Sequence, residues 1–122
     1  FDHRAVAASP AAQAATVTLR GRRLHLFNGG PHFKLTPAFS LMVDRETQAE
    51  VDELWDQLSA GGAKSRCGWL QDRYGLSWQI VPNVLVPLLR DKDPKKAQAV
   101  MQAMLQMDKL DIARLQQARD QA

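Results

Sequence analysis

The sequence contains one cysteine, Cys67, so an intrachain disulfide bond is excluded. A chain without disulfides is typical of a reducing compartment, and we therefore predict a cytoplasmic protein. No apolar run approaches the length of about 20 residues that a membrane-spanning helix needs, and no signal peptide is recognisable. We accordingly expect no membrane association. The first residue is Phe1 rather than methionine, so we expect the chain to begin inside a longer polypeptide.

The sequence also lacks a long run of charge of one sign. It has 16 basic and 13 acidic residues, a formal net charge of +3, and its basic residues are mostly scattered. Short basic clusters occur only at Arg20–Arg23 and Lys95–Lys96. A nucleic-acid surface usually needs a longer basic stripe or aromatic residues interleaved with basic ones. We therefore predict no nucleic-acid partner and interpret the small basic excess as solvated surface.

Length and composition set the scale of the fold. The chain has 122 residues, of which 45% are hydrophobic and 24% charged. These values are ordinary for a globular chain, and the length predicts one domain, residues 1–122, with a small core.

The stretch from Cys67 to Pro82 reads CGWLQDRYGLSWQIVP and organises the rest of the sequence. Its polar centre has aspartate at the first position of a possible turn and glycine at the fourth, which favours a tight turn. The following residues alternate between two faces, Leu76, Trp78 and Ile80 on one and Ser77, Gln79 and Val81 on the other. We predict a β-hairpin that ends at its proline, with an apolar back face and a more polar front face. Any ligand cleft is expected on the front face.

Alternating hydrophobic residues predict the other strands. A short strand is expected at residues 4–7, a hairpin of residues 15–20 and 24–27, and a further strand at residues 38–43. The segment from Ala63 to Arg66 leads either to another strand or directly into the central hairpin.

Capping signals predict the helices. A capping box that begins at Thr47 starts one helix, which Gly61–Gly62 ends. Three helices follow Pro82, and Asp93 and Asp111 are the expected N-caps of the second and third. Strands first and a helical tail last predict an α+β fold.

Four segments in this order resemble one known family. They are the stretch CGWLQDRYGLSWQIVP, the segment Leu26–Phe33, the strand and helix of Phe39–Ser59, and the tail Val100–Leu115. The sequence is similar to the PhnB-like branch of the glyoxalase/bleomycin-resistance/dioxygenase superfamily, also called vicinal oxygen chelate proteins. The resemblance runs from about Val17 to the C-terminus.

The resemblance implies a fold of paired βαβββ modules whose strands wrap around a cleft, like half of a barrel. Residues 1–37 would be the remainder of an incomplete first module, residues 38–82 the second module, and residues 83–122 a C-terminal helical tail. Relatives of this kind commonly form homodimers in which both chains close the cleft, so the resemblance implies a homodimer here.

The resemblance also implies where a metal ion would bind. Enzymes of the superfamily hold a divalent metal through histidine and glutamate side chains, and the metal acts as a Lewis acid on the substrate. The glutamate of the last strand falls at Gln79, whose neutral amide is a weaker ligand for a hard cation. The ligand that opens the second module falls near Phe39 or Ser40, and neither is a good ligand. We therefore predict no metal ligand in this sequence, and a divalent metal ion remains an alternative cofactor.

Five residues are candidates for ligand binding: Gln79 and Ser77 on the front face, Trp69, His32 and His25. Trp69 could stack on a flat ligand. His32 could bind a metal or an anionic substrate, or it could order its proline-bounded loop by hydrogen bonding. His25 could face a cleft or be an ordinary strand histidine.

Other conspicuous residues favour structural roles. Cys67 could act as a nucleophile only with a base beside it, and since the sequence shows none we expect a structural cysteine. Trp78 alternates with the apolar residues of its strand, so we expect it to pack under the helix against Trp55. The methionines at positions 101, 104 and 107 fit helix packing or a dimer surface.

Three functions remain open at the level of sequence. The first is a small-molecule-binding homodimer without the usual metal. The second is a divalent-metal-dependent lyase, isomerase or dioxygenase that uses His32 and upstream ligands. The third is an interaction module whose Met-rich tail docks a partner. Members of the family often carry the label of a 3-demethylubiquinone methyltransferase, but the sequence has no glycine-rich strand-to-helix turn that could hold the cofactor of that reaction.

Overall fold

A computed structural model of the chain describes residues 3–6 and 14–122. The chain divides into two compact units, residues 1–34 and 35–122, each with a β-sheet of its own. Strands precede helices along the chain, and the predicted α+β fold with a C-terminal helical tail is confirmed.

The first unit contains an antiparallel sheet of three strands in the order β1-β2-β3. The strands are β1, His3–Val6; β2, Ala14–Leu19; and β3, Arg22–Phe27. Arg20 and Gly21, which join β2 to β3, have φ angles of 47° and 82°. Two consecutive positive φ angles are typical of the type I′ turn, whose twist matches that of the strands. The predicted hairpin is confirmed, and the strand expected at residues 4–7 corresponds to β1, which begins one residue earlier, while residue 7 lies outside the described residues.

The second unit opens with a βαβββ module. Its elements are β4, Ser40–Arg45; α1, Gln48–Ser59; β5, Ala63–Lys64; β6, Trp69–Gln71; and β7, Ser77–Pro82. The strand order is β4-β7-β6-β5, in which β4 runs parallel to β7 and the other neighbours are antiparallel. This is the half-barrel module that the resemblance implies. The alternation does not single out β5, because two residues are too few to show a period.

Helix α1 begins at the predicted capping box. The Thr47 hydroxyl accepts a hydrogen bond from the Glu50 amide at 3.2 Å, and the Glu50 carboxylate accepts one from the Thr47 amide at 3.2 Å. The two bonds satisfy two of the amide groups that a helix start leaves unpaired. The helix ends before Gly61, whose φ of 77° favours glycine.

The main core lies between α1 and the back face of the sheet. Buried α1 residues include Val51, Leu54 and Trp55, and the buried sheet residues include Leu70, Trp78 and Ile80. Both Trp78 and Trp55 are buried, as expected for residues between helix and sheet.

The tail consists of three helices: α2, Leu85–Leu89; α3, Pro94–Leu105; and α4, Ile112–Asp120. The side chain of Asp93 accepts a hydrogen bond from the Lys95 amide at 3.0 Å, and that of Asp111 accepts one from the Arg114 amide at 3.1 Å. Both predicted N-caps are confirmed. No helix in the described part of the chain is both long and apolar enough to cross a membrane.

A second core joins the tail to the end of β7. Its buried members are Val81, Leu85, Val100, Met107, Leu110 and Leu115. Because Val81 belongs to this core, the front face of β7 is polar only at Ser77 and Gln79. The tail therefore covers the Val81 end of the front face, which alternation does not indicate, because it separates two faces without saying which element covers each of them.

The side chain of Gln48 ties α1 to the start of α4. Its amide nitrogen donates to the Leu110 carbonyl at 3.0 Å, and its amide oxygen accepts from the Ile112 amide at 2.7 Å. The same nitrogen donates to Asp52 at 2.9 Å. That hydrogen bond, followed by one from Lys109, holds the pKa of Asp52 below its usual value. The tail is thus fixed to the module by specific polar contacts as well as by apolar packing.

Candidate functional site

The central hairpin is built as the sequence predicts. Strands β6 and β7 pair antiparallel, and Asp72 begins the turn between them. Its Oδ1 accepts hydrogen bonds from the amides of Tyr74, at 2.9 Å, and Leu76, at 3.0 Å. Gly75 completes the turn with a φ of 86°. The side chain of Asp72 therefore satisfies the turn amides, which is the local capping that the sequence indicated.

The same aspartate holds Trp78 on the back face. Asp72 Oδ2 accepts a hydrogen bond from the Trp78 indole nitrogen at 3.0 Å. The indole is 6% exposed and lies among the core residues of the sheet. Trp78 therefore does not compete for space on the front face, where the candidate ligand-binding residues lie.

Three of the five predicted ligand-binding residues share the front face of the second sheet. Trp69 lies opposite Gln79, and Gln71 lies opposite Ser77, on the paired strands β6 and β7. On the other side of β7, Ser40 pairs with Ser77 and Met42 with Gln79. Residues that face each other across neighbouring strands point to the same side of a sheet. The front face thus combines amides, hydroxyls, one indole and one thioether.

Gln79 is held in place by a hydroxyl of the first strand of the module. Its amide nitrogen donates a hydrogen bond to Ser40 Oγ at 2.9 Å. These are the two positions at which the resemblance places metal ligands, and the fold brings their side chains into direct contact. The pair therefore occupies the expected place, but it offers an amide and a hydroxyl instead of a carboxylate and an imidazole.

This donor set does not fit a divalent cation. Hard cations prefer several charged carboxylate oxygens, and catalytic zinc sites use histidine or carboxylate ligands. In the described residues, no group of three or more histidine, cysteine, aspartate or glutamate side chains lies close enough to hold a metal ion.

An open groove of about 610 Å³ adjoins this face. Its lining residues are Pro37, Ala63, Lys64, Ser65, Arg66, Cys67, Trp69, Leu70, Gln71 and Ser77. Two predicted residues, Trp69 and Ser77, belong to this lining, although Ser77 is only 2% exposed, and Gln79 is the strand partner of Trp69. The volume of the groove is in the range typical of small-molecule sites.

The segment that walls the groove is anchored on two sides. The amides of Cys67 and Gly68 donate to the carbonyls of Met107 and Asp108 at 2.8 and 2.7 Å, which lie just beyond α3. On the sheet side, the amide of Ile80 donates to the Gly68 carbonyl at 2.8 Å. Cys67 and Gly68 both adopt positive φ, 58° and 84°. The wall is therefore fixed by backbone hydrogen bonds rather than left as a free loop.

Lys64 and Arg66 belong to the groove lining, and their cationic groups are paired with residues outside that lining. Lys64 Nζ lies 3.9 Å from Asp56, and Arg66 Nε lies 3.6 Å from Asp108. Arg66 Nη2 also donates to the Leu105 carbonyl at 3.1 Å. Both side chains are more than half exposed, so these ion pairs contribute little to stability.

The two predicted histidines belong to the first unit. His25 is an exposed residue of β3, and its Nδ1 lies 3.1 Å from the Thr16 hydroxyl. His32 is also exposed and follows β3 in a turn. Their predicted roles in ligand binding remain predictions.

Sequence reasoning did not identify Lys64 and Arg66 as site residues. Neither residue belongs to a recognisable motif, and the side chain of Arg66 bonds to a carbonyl 39 residues away along the chain. The available signal was the absence of acidic residues between Gly61 and Gln71, a stretch that contains two basic side chains.

Comparisons with family models and with solved structures point to the same family. A family model described as 3-demethylubiquinone-9 3-methyltransferase matches residues 3–81. No curated protein is similar enough to the chain to be matched.

Solved structures provide two further comparisons. A PhnB protein from Bacillus cereus, described provisionally as a 3-demethylubiquinone-9 3-methyltransferase, is 28% identical with a TM-score of 0.56, and the match covers 66% of this chain and 79% of that one. Protein PA1353 from Pseudomonas aeruginosa is 18% identical with a TM-score of 0.48, and the match covers 57% of this chain and 61% of that one.

Proposed function

This chain belongs to the 3-demethylubiquinone-9 3-methyltransferase family of PhnB-like proteins, and from that premise we propose that it binds a small organic molecule in the groove beside β6 and β7 without the metal ion of the superfamily enzymes. The hydrogen bond between Gln79 and Ser40 carries this proposal. It joins the amide of Gln79 to the hydroxyl of Ser40. Both groups are neutral, and they occupy the two positions at which the resemblance places metal ligands. Neutral amide and hydroxyl groups suit hydrogen bonding to a ligand better than coordination of a hard cation.

The groove supports binding more than methyl transfer. Its indole at Trp69 and its polar groups at Gln71 and Ser77 are the few convergent polar and aromatic groups typical of small-molecule sites. The family description names a methyl transfer, but the sequence has no glycine-rich turn for a nucleotide cofactor. We therefore propose binding as the activity of this groove.

We further propose that the protein is a homodimer located in the cytoplasm. Exposed apolar side chains support the dimer, because Met42 on the front face of the second sheet is 58% exposed, and Phe39, which directly precedes β4, is 59% exposed. Covering such residues on a second copy would remove apolar surface from water. The single cysteine supports a reducing compartment.

A thermal-shift screen tests the binding proposal. The full chain is screened against a broad panel of small organic compounds in EDTA, and again with added Zn²⁺, Mn²⁺ or Fe²⁺. We expect hits that stabilise the protein equally in EDTA, because the groove needs no ion. Trp69→Ala should weaken each hit by about tenfold, the loss of roughly 1.4 kcal/mol of contact with the indole.

Tyr74→Ala is the matched control, because Tyr74 is an aromatic residue of the same hairpin that is 80% exposed and lies outside the groove lining. It should leave every hit unchanged. Hits that require an added metal ion would instead support the metal-dependent enzyme, and a screen without hits would contradict the proposal.

A further inference from the structure

We infer that the ligand of the groove is an uncharged planar molecule whose edge carries both a hydrogen-bond acceptor and a donor, as a carboxamide or a lactam does. This inference rests on the proposed small-molecule function and adds the chemical class of the ligand. The observation behind it is that the strand register places the Trp69 indole next to neutral hydrogen-bonding side chains.

The Trp69 indole has two carboxamide neighbours on the front face. Gln71 follows Trp69 by two residues in β6, so both side chains leave the same face of the strand, and Gln79 lies opposite Trp69 in β7. All three residues are partly exposed, and Trp69 and Gln71 belong to the groove lining. A planar ring that stacks on the indole therefore has one carboxamide along the strand and another across it.

The two carboxamides can each donate and accept hydrogen bonds. An amide side chain has two N–H donors and one acceptor oxygen. In the described part of the chain, the bond from Gln79 Nε2 to Ser40 Oγ engages one N–H group, which leaves the amide oxygen and the second N–H for a ligand. A carboxamide or lactam edge matches such a group, because it also combines one acceptor with a donor.

The cationic residues of the groove lining are paired away from the indole. The ammonium group of Lys64 lies 3.9 Å from Asp56 of α1, the helix on the back face of the sheet. The Arg66 guanidinium donates to the Leu105 carbonyl at 3.1 Å and lies 3.6 Å from Asp108, and neither of these partners lines the groove. Within the described lining, neither cation is therefore directed toward the indole.

A charged ligand stacked on the indole would lack a partner of opposite charge among these described neighbours. The register adds one charged residue to the front face, Asp44, but it pairs with Val81 at the end that the tail covers and lies outside the groove lining. An ion that enters the groove loses part of its hydration, which is unfavourable without a compensating charge. The groove should therefore prefer an uncharged molecule over charged analogues of the same shape.

Three naphthalene compounds of the same shape test this inference. They are 2-naphthamide, which is uncharged, 2-naphthoate, which is an anion at pH 7, and 2-naphthamidinium, which is a cation. Isothermal titration calorimetry measures the dissociation constant of each compound for the full chain in EDTA. We expect the amide to bind at least about tenfold tighter than either ion, and 0.5 M NaCl to change its binding by less than about twofold. Trp69→Ala should weaken binding of the amide about tenfold.

Charges introduced at Gln71 locate the source of the preference. Gln71→Glu places a carboxylate next to the indole and should make 2-naphthamidinium the tightest ligand, whereas Gln71→Lys should make 2-naphthoate the tightest. Gln98→Glu is the matched control, because Gln98 is an exposed residue of α3 outside the groove lining. It should leave the order of the three dissociation constants unchanged. Circular dichroism checks that each variant is folded.

The outcomes separate this inference from the proposed function. If an ion binds as tightly as the amide and its binding depends on Trp69, the groove binds small molecules but the inference is wrong. If the order survives both charge variants at Gln71, the selection does not arise beside the indole and the inference is overturned. If none of the three compounds binds, uncharged planar hits that depend on Trp69 in the compound screen support the inference, and charged hits overturn it. If the screen is also empty, the proposed function fails together with the inference.

Discussion

At the scale of single residues, the groove wall contains a glycine at which an added side chain would be crowded from two sides. Gly68 has a φ of 84°, and a Cβ at this position would lie 2.9 Å from the Ile80 carbonyl oxygen and 3.0 Å from Leu110 Cδ1. The first neighbour belongs to the sheet and the second to the tail. Gly68 is therefore a point at which the groove wall lies close to both the last strand and the second core.

We expect Gly68→Ala to lower the free energy of unfolding by about 2–4 kcal/mol, because backbone strain and overpacking act together. Gly75→Ala is the matched control, since Gly75 has a φ of 86° and no atom within 4 Å of the added Cβ. It should cost only the strain, about 1 kcal/mol. Urea denaturation of both variants measures the difference. Equal losses would mean that the close approach at Gly68 is relieved by small movements of its neighbours.

At the scale of elements, the sequence predicted the helix starts and hairpin turns that depend on bonds between residues close together in the chain. The starts of α1, α3 and α4 were predictable because Thr47, Asp93 and Asp111 each bond to an amide two or three residues away. The two hairpins were predictable because their turns depend on a few consecutive residues. Element boundaries that rest on such short-range bonds need no knowledge of the rest of the chain.

The candidate site was predictable only in part, for the same reason. Alternation correctly separated Gln79 from Trp78, because the period of a strand is a local property. The groove wall depends instead on bonds between residues about 40 positions apart, such as those of Cys67 with Met107 and Arg66 with Leu105. Likewise, nothing local in β7 indicates that the tail covers Val81. Contacts between distant segments decide which side chains line a groove, and a single sequence does not display them.

The contact between α4 and Asp91 predicts how the stability of the fold depends on pH. Asp91, which follows α2, accepts hydrogen bonds from the Asp93 amide at 2.9 Å and from Arg119 Nε of α4 at 2.6 Å. The amide bond first, and then the bond from Arg119, hold the pKa of Asp91 below its usual value. Because the pKa is lower in the folded chain, ionised Asp91 stabilises the fold above its unfolded pKa of about 3.9. The stabilisation is lost as the pH falls through the lowered value.

We therefore expect Asp91→Asn to lower the urea midpoint at pH 7, and the gap from the unmodified chain to narrow progressively as the pH falls below about 4. Asp56→Asn is the control, because its ion pair with Lys64 is long and exposed, and it should change little at either pH. Urea titrations at several pH values provide the measurement. If the difference in urea midpoint between Asp91→Asn and the unmodified chain stayed constant from pH 7 to acidic pH, Asp91 would stabilise the fold through the shape of its side chain and not through its charge.

At the scale of the whole molecule, charge is unevenly distributed along the chain. Residues 1–34 contain five basic residues and one acidic residue, whereas residues 35–122 contain eleven basic and twelve acidic residues. The positive net charge of the chain therefore resides in its first 34 residues. The groove lies in the unit whose formal charge is slightly negative, so the net charge of that unit does not favour an anionic ligand.

Apolar side chains exposed in the second unit allow two modes of association. Met42 lies on the front face of the sheet and is 58% exposed, while Met101 of α3 in the tail is 41% exposed. A dimer that closes the front of the sheet would bury Met42, and one that uses the Met-rich tail would bury Met101. The same substitution at the two positions can therefore distinguish the two surfaces.

We expect the chain to elute at twice its mass of 13.6 kDa in size-exclusion chromatography with light scattering. Met42→Glu should raise the dimer dissociation constant by about 100-fold, because it buries an unpaired carboxylate in an apolar contact. Met101→Glu should leave the dimer intact. Since both side chains are exposed in the isolated chain, neither variant should disturb folding. The opposite pattern would assign association to the tail, and an unmodified chain that is monomeric at all concentrations would contradict the proposed dimer.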